Sequence, residues 1–265
     1  MKFNNSAIRR IGVGFAALLA WVCLGWLLVS AVHFQKDLQL NGLEIRIETT
    51  EEKLHLLSEE MLADFIHSHL TDSVHRYSVR DFPVRHIADM LSDHPYIESA
   101  VVYVGKSGRV RVHCEPRYPV ARVLPNRGSS YFIDGSGAIM PMTDQATLRL
   151  PVVRGRVPAA TTDKEDDLAR LKDLGRLGSQ LKESDFLSVL IDQVMVTALG
   201  DYKMIPSLGK EKIELGQLDN MEEKLENLEA FYEQVIAQVG WNVYENISLK
   251  YEGQIVARRA ETSSP

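Results

Sequence analysis

The chain has 265 residues, of which 45% are hydrophobic and 25% are charged. This composition is typical of a globular protein with room for about two domains, and it excludes a wholly disordered, collagen-like or coiled-coil chain. The net charge of −6 gives no general basic surface, which argues against nucleic acid as a ligand. Three positive charges precede residue 11, so the remainder carries −9.

The first predicted element is a membrane segment at residues 11–32, a run of 22 residues without a charge. As a helix this run spans roughly 33 Å, enough for a hydrocarbon core of about 30 Å. Lys2, Arg9 and Arg10 precede it, so the positive-inside rule places the tail at 1–10 in the cytoplasm and the bulk of the chain outside. The alternative is a cleaved signal peptide with a small-residue site at 29–31, but the run is longer than a typical signal-peptide core, which favours an uncleaved anchor.

The two cysteines predict no intramolecular disulfide. Cys23 lies in the apolar run and Cys114 lies far into the exported part, so the two cannot meet. The exported part must therefore depend on a hydrophobic core, which a chain of this length can build. We expect Cys114 to be a small buried residue in a strand.

After a linker at 33–40, the pattern predicts a small domain at 41–116. Residues 43–47 alternate as a strand, Ser58 caps a first helix, and Pro83 opens a second. Two β-rich runs follow at 97–104 and 109–114. The order strand, helix, helix, strand, strand is typical of a compact α+β unit.

The region 117–259 predicts a mixed or antiparallel β domain with two flanking helices, followed by a polar tail at 260–265. The first helix carries a leucine stripe that Gly175 and Gly178 weaken, and the second, at 221–239, is cleanly amphipathic. The two final strands could instead be one strand with a kink at Gly253. The predicted strands are 118–124, 131–133, 138–140, 187–198, 202–205, 212–215, 246–251 and 254–258. The fold class is α+β with one N-terminal transmembrane helix.

No motif predicts catalytic, cofactor-binding or metal-binding residues. His67 and His69 are two apart on a predicted helix and point to different faces, which is poor ligand geometry. The run at 134–137 lacks the lysine and hydroxyl ending of a phosphate loop and indicates a hairpin turn. No serine, histidine and carboxylate occur at a recognisable catalytic spacing. The sequence therefore favours a binding or scaffold role without a small-molecule substrate or cofactor.

Several short stretches, in a fixed order behind the apolar run, resemble the bacterial FtsQ/DivIB cell-division family over nearly the whole chain. Within the last stretch Lys250 replaces the arginine that is usual in the family. The stretches are 94–102, 110–115 with 119–122, Tyr131-Phe132-Ile133-Asp134 with Gly137, Leu150-Pro151 with Gly155, 249–251 and 255–258.

The resemblance implies a membrane anchor, a POTRA-like βααββ domain at 41–116 and an FtsQ-type β domain at 117–259. It implies a non-enzymatic divisome scaffold in the cell inner membrane at the division septum. Such a scaffold links early cytoplasmic and late periplasmic division proteins and binds FtsB-type and FtsL-type partners. An alternative is a membrane-anchored POTRA-type chaperone or secretion accessory. An anchored cell-wall enzyme is disfavoured because no nucleophile or metal motif is present.

Two partner-binding surfaces are expected. A terminal strand tends to lie at a sheet edge, where another chain can extend it. Tyr251 would be an aromatic anchor, Lys250 a positive charge for an acidic partner, and Gly253 a point of close backbone approach. The full set is Lys250, Tyr251, Gly253, Ile255, Val256 and Arg258; the alternative is that Ile255 and Val256 only close the sheet and that the polar tail of the chain caps the edge.

The second expected surface is the exposed face of the second POTRA helix, at Arg85, Asp89 and Ser92. Because this domain is the family's recruitment module, we expect that face to contact an upstream protein. The alternative is an ordinary solvated helix face.

Overall fold

A computed structural model describes residues 21–27, 39–48, 56–143 and 148–260. The predicted cytoplasmic tail and most of the predicted membrane segment lie outside these ranges; within 11–32, only 21–27 are described, as a helix with exposed side chains. No helix in the described ranges is long and apolar enough to cross a membrane. The membrane anchor therefore stays a prediction.

The chain divides into two compact units near residue 116. The first unit has the predicted order of two helices between one strand and a strand pair, with a short 3₁₀ turn at Val74–Arg76 that the sequence did not indicate. Its elements are β1 Gly42–Ile47, α1 Glu59–His69, α2 Val84–Ser92, β2 Ile97–Val104 and β3 Arg109–Pro116.

The first unit packs both helices on one face of a three-stranded sheet in the order β1-β3-β2, with β1 parallel to β3. Ser58 caps α1 as expected, because its side chain accepts a hydrogen bond from the Met61 amide at 3.1 Å. Ile87 of α2 and Val110 of β3 are fully buried in a single core. Cys114 lies in the same core, where burial raises the pKa of its thiol to about 11. It is therefore a protonated packing residue at neutral pH.

The second unit is built on a nine-stranded mixed sheet in the order β12-β11-β10-β9-β8-β7-β4-β5-β6. Parallel pairs join β4 to β7, β7 to β8 and β10 to β11, and the remaining neighbours are antiparallel. Its strands are β4 Pro119–Leu124, β5 Tyr131–Asp134, β6 Ile139–Pro141, β7 Val152–Gly155, β8 Ile191–Val196, β9 Tyr202–Pro206, β10 Lys212–Gly216, β11 Tyr244–Tyr251 and β12 Gln254–Arg259.

The helices of the second unit share one hydrophobic core with this sheet. The last helical segment runs from α5 (Met221–Phe231) through a π-helical turn at Tyr232–Ile236 to α6 (Ala237–Val239). Buried leucines of α3 and α5 face the strands, as their spacing predicts. The helices are α3 Glu165–Glu183, α4 Asp185–Leu190, α5 Met221–Phe231 and α6 Ala237–Val239.

The predicted strand at 187–198 is wrong in its first part, which forms α4 before β8 begins at Ile191. The Ser184 hydroxyl accepts a hydrogen bond from the Leu187 amide at 3.0 Å, and Asp185 lies in the first turn. These two features start a helix, whereas a continuous apolar run does not by itself distinguish helix from strand. The four-residue strand β7 was not predicted.

The idea of one kinked final strand is also wrong. β11 and β12 are separate antiparallel strands, with Tyr251 opposite Gln254. Gly253 lies in the turn between them at φ +63°, a conformation that favours glycine.

Helix α3 lies unusually close to the β5–β6 turn, and glycines make this possible. A Cβ at Gly175 would lie 2.6 Å from the Asp134 carbonyl oxygen and 2.7 Å from the Gly137 amide nitrogen. A Cβ at Gly178 would lie 2.7 Å from a Val120 methyl carbon. The glycines that weaken the leucine stripe thus lie where the helix backbone comes close to the β5–β6 turn and to β4.

We expect Gly175→Ala to lower the free energy of unfolding by about 1–3 kcal/mol, because the new methyl group overlaps backbone atoms of the turn. Helix propensity alone predicts the opposite sign, a gain of up to about 1 kcal/mol. Urea unfolding of the two proteins measures the difference. Arg176→Ala on the exposed side of α3 is the control and should change stability by less than about 0.5 kcal/mol.

Candidate functional site

The two ends of the nine-stranded sheet differ in their capacity to accept another strand. One end is β6, which has only three residues and finishes at Pro141. The other end is β12, which has six residues and no proline. Short strands and prolines discourage strand addition, so β12 is the edge suited to pairing with another chain.

The side chains of β12 alternate between two environments. Ile255 and Ala257 pack against the hydrophobic core, whereas Val256 is 48% exposed and Arg258 lies exposed within 3.5 Å of Glu245. Tyr251, at the end of β11, is 59% exposed. Ile255 of the predicted surface therefore packs on the sheet's own core, as the alternative interpretation expected. Tyr251, Val256 and Arg258 face solvent.

The hydrogen-bond register shows which backbone groups of β12 face outward. The Ala260 amide donates to the Val243 carbonyl at 3.0 Å, across the β11 side of the strand. Backbone groups alternate in direction along an antiparallel strand. The amides and carbonyls of Ile255, Ala257 and Arg259 therefore point away from β11, towards the open edge.

Lys250 is engaged within its own sheet. Its ammonium group lies 3.4 Å from an Asp201 carboxylate oxygen and 3.4 Å from a Glu214 carboxylate oxygen. Partial burial lowers the pKa of Lys250, but attraction to these carboxylates outweighs that effect and the net pKa is raised. Glu214 also accepts a 2.8 Å hydrogen bond from Lys203, which lowers the pKa of Glu214. We call Asp201, Lys203, Glu214 and Lys250 the cross-strand ion network.

This network was missed by sequence reasoning. Its members lie on β9, β10 and β11 or next to them, and only the strand order brings them together. The alternation of Tyr202 and Met204 with Lys203 signalled that Lys203 faces away from the core. No local signal identified its partner.

A groove of about 240 Å³ lies beside the β11–β12 turn and is lined in part by Lys224, Tyr251, Gly253 and Ile255. Its buried lysine, Lys224, donates to the Gln217 carbonyl at 2.9 Å and to Asp219 at 3.1 Å. Within the described ranges, no group of three or more histidine, cysteine, aspartate or glutamate residues could hold a metal ion. The groove is lined by charged and amide side chains together with one aromatic and two aliphatic ones.

The second predicted surface belongs to the first unit. Arg85, Asp89 and Ser92 are all exposed along α2. The Ser92 hydroxyl donates to the Ala88 carbonyl at 2.9 Å, at the last turn of the helix. The structure thus places these three side chains on one solvent-facing stripe.

The second unit coincides with a known family. Residues 118–258 match the family described as FtsQ/DivIB, C-terminal related. This chain belongs to the FtsQ/DivIB family. The matched range contains the nine-stranded sheet from β4 to Arg258, the last residue but one of β12. The β12 edge, with which no further strand pairs among the described residues, is therefore part of the family's own domain.

Two curated relatives of this FtsQ/DivIB chain are both named Cell division protein FtsQ. The relative from Salinibacter ruber is 27% identical over 183 residues, which is 65% of this chain and 68% of the relative. The relative from Rhodothermus marinus is 27% identical over 181 residues, which is 65% of this chain and 64% of the relative. The alignments thus span about two thirds of each relative's length.

The stretch Tyr131-Phe132-Ile133-Asp134 with Gly137 has a structural explanation in this FtsQ/DivIB domain. The Tyr131 hydroxyl donates to the Pro158 carbonyl at 2.9 Å. Asp134, only 6% exposed, binds Arg117 at 2.7 Å and accepts hydrogen bonds from the amides of Ser136 and Ala138. The contacts of Asp134 fix the turn on which α3 packs.

We expect Glu214→Gln to lower stability by about 1 kcal/mol at pH 7, because it removes the charge that Lys203 and Lys250 share. Since the pKa of Glu214 is lowered in the folded state, its contribution is present above the ordinary carboxyl pKa of about 4.3 and is lost as the pH falls through the lowered value. The gap between wild type and variant should therefore be smaller at pH 3 than at pH 7. Urea unfolding at pH 7 and pH 3 measures it, with exposed Glu226→Gln as the control.

Proposed function

We propose that this chain is a non-enzymatic scaffold of the bacterial division machinery. In this role it links early cytoplasmic and late periplasmic division proteins at the septum. Membership of the FtsQ/DivIB family supports a division role and divisome partners in general. The names of both relatives agree with it.

The observation that carries the proposal is the open β12 edge inside the family's domain. A strand from an FtsB-type or FtsL-type partner would pair with the outward amides and carbonyls of Ile255, Ala257 and Arg259. Val256 and Arg258 would contact its alternate side chains on one face. Tyr251 is an exposed aromatic side chain of the kind found as an interface anchor, and it would cover the end of the partner strand beside the groove.

The sequence suggested that Lys250 is a positive charge for an acidic partner, but in this proposal its role is structural. Because its ammonium group faces Asp201 and Glu214, it contributes mainly by holding β11 in place. An acidic partner side chain would have to compete with both carboxylates. Gly253 contributes by forming the turn that presents Tyr251.

The remaining parts of the proposal concern location. We propose that residues 11–32 anchor the chain once in the cell inner membrane, with the N terminus in the cytoplasm and both described units in the periplasm. The charge asymmetry around the apolar run supports this orientation. We further propose that residues 41–116 form a POTRA-like recruitment domain, which the strand and helix order of the first unit supports.

Two substitutions test strand addition at β12 separately. Ala257→Pro removes one outward amide without removing a bond to β11, and proline is tolerated on edge strands. Tyr251→Ala removes the aromatic anchor. Each variant is made in the full-length chain. We expect it to bind a purified FtsB–FtsL-type pair at least about tenfold more weakly than wild type, in a surface binding assay in detergent.

The control is Leu208→Ala, which removes a similarly exposed apolar side chain from the β9–β10 turn. It should bind within twofold of wild type. All variants must keep a cooperative thermal transition. A folded Ala257→Pro protein with wild-type affinity would rule out strand addition at this edge. Gly253→Pro is unsuitable as a test because residue 253 has a φ of +63°, which proline cannot adopt. The substitution would therefore disrupt the turn itself.

The recruitment surface on α2 is tested by reversing its charge. We expect the combined variant Arg85→Glu, Asp89→Arg and Ser92→Glu to fold normally, because all three side chains are exposed. Its fluorescent fusion should lose mid-cell localisation, because a partner would meet reversed charges. A control with Glu59→Arg and Glu60→Arg on α1 should still localise. Unchanged localisation of the α2 variant would mean that this stripe is an ordinary solvated face.

A further inference from the structure

The connection from α2 to β2 in the first unit is a tight turn built around a histidine. The Ile97 amide donates to the His94 carbonyl at 3.0 Å, and Pro95 occupies the second position, which favours proline in a β-turn. Within the turn, the Tyr96 amide donates to Nδ1 of His94 at 3.3 Å. Because Nδ1 accepts this hydrogen bond, it carries no proton in the closed turn. We call residues 94–97 the histidine turn.

The ring of His94 is half-buried against two aromatic side chains. Its centroid lies 5.0 Å from that of Phe65 on α1, in an edge-to-face arrangement, and 5.7 Å from that of Tyr96. Phe65 and Tyr96 pack in turn against the core of the first unit, in which Ile97 is fully buried. The histidine therefore connects the turn to α1 as well as closing it, and the closed turn places the first residue of β2 in the core.

The surroundings of His94 disfavour a positive charge on its ring. Burial lowers the pKa of His94, and no ion pair with a carboxylate offsets this among the residues that the structure describes. A helix C-terminus favours a cation, but Nδ1 faces an amide N–H of the turn and not the last carbonyls of α2. Tyr96 stays neutral because burial raises its pKa. α1 adds a second histidine, His69, whose ring centroid lies 4.6 Å from that of Phe65. The acidic side chains of α2, the connection and β2 are exposed, namely Asp89, Asp93 and Glu98.

We propose that the histidine turn is an acid-sensitive element: protonation of His94 releases the Tyr96 amide, and the connection between α2 and β2 opens. A proton on Nδ1 converts the acceptor of this hydrogen bond into a donor that faces another donor. It also places a charge in a half-buried site that contains no partner for it among the described residues. The inference goes beyond the proposed function, which gives α2 a partner but no regulation, and the opening itself does not depend on that partner.

Acid opens the turn because the closed state binds the proton more weakly than the open state does. An exposed histidine has a pKa of about 6.5, and the pKa of His94 is lower in the closed turn. The contribution of His94 to stability is therefore fully present above about pH 6.5 and is lost as the pH falls through the lowered value. The population of the open turn should increase between pH 7 and pH 5.

Hydrogen exchange of the full-length chain in detergent measures this opening, when it is read by mass spectrometry on residues 94–97 and corrected for the intrinsic effect of pH. In wild type we expect this segment to lose protection between pH 7 and pH 5, while β3 stays protected. The test variant is His94→Asn, because an asparagine oxygen accepts a hydrogen bond from the amide two residues on and does not titrate. Its turn should be equally protected at both pH values. The control is His86→Asn, which removes an exposed histidine of α2 and should lose protection as wild type does.

A second measurement uses only the wild-type chain and so does not depend on how the variants fold. Nuclear magnetic resonance of the chain with labelled histidine rings follows each imidazole as the pH is lowered. We expect the titration midpoint of His94 to lie below that of His86, and the loss of protection in the turn to follow the His94 midpoint. The proposal is overturned if His94 titrates at or above the pH at which His86 does. Equal protection of the wild-type turn at pH 7 and pH 5 would also overturn it, as would the same loss of protection in a folded His94→Asn protein.

Discussion

The second unit depends on the close approach of α3 to the β5–β6 turn. Asp134 organises this turn by binding Arg117 and two backbone amides from a nearly buried position. Gly175 then lets the helix backbone lie directly against the turn. The contact joins the helix that covers the sheet to one of its terminal hairpins. If it were wider by the thickness of a methyl group, the leucines of α3 would no longer fill the space above β4 and β5.

The sheet that results has two unequal ends, and this inequality determines where function can lie. The β6 end is short and finishes in proline, whereas the β12 end offers a six-residue strand with outward backbone groups, paired with β11 across two register shifts. The β12 strand is both part of the core, through Ile255, and part of the surface, through Val256. A partner that pairs with it would extend a sheet whose geometry is already fixed.

Sequence reasoning predicted most elements because their patterns are local. The Ser58 cap, the leucine spacing of α3 and the alternation of β3 each identified an element directly. It failed at residues 187–190, where a capping serine and one acid outweighed a strand-like apolar run. It also missed β7, because four residues carry too little periodicity to be recognised.

The candidate site was predicted in outline and not in detail. The two final strands were predicted and β12 lies at the end of the sheet, but Tyr251 lies at the end of β11, the next strand inwards. The engagement of Lys250 could not be predicted, because it depends on strands β9 and β10 that lie dozens of residues away in sequence. The roles of Gly175 and Gly178 were likewise hidden, since propensity describes an isolated helix and not its neighbour.

The cross-strand ion network has a mechanical consequence. The parallel seam between β10 and β11 consists of three paired positions, ending at Glu214 and Ser248. Lys250 lies two residues beyond that end and reaches back across the seam to Glu214 and Asp201. Tension applied through a strand attached to β12 would pass through β11 and load this seam in shear. Lys250 adds an ionic contact there to the paired backbone positions and to the buried side chains of Ile247 and Leu249, which together hold the terminal hairpin to the sheet.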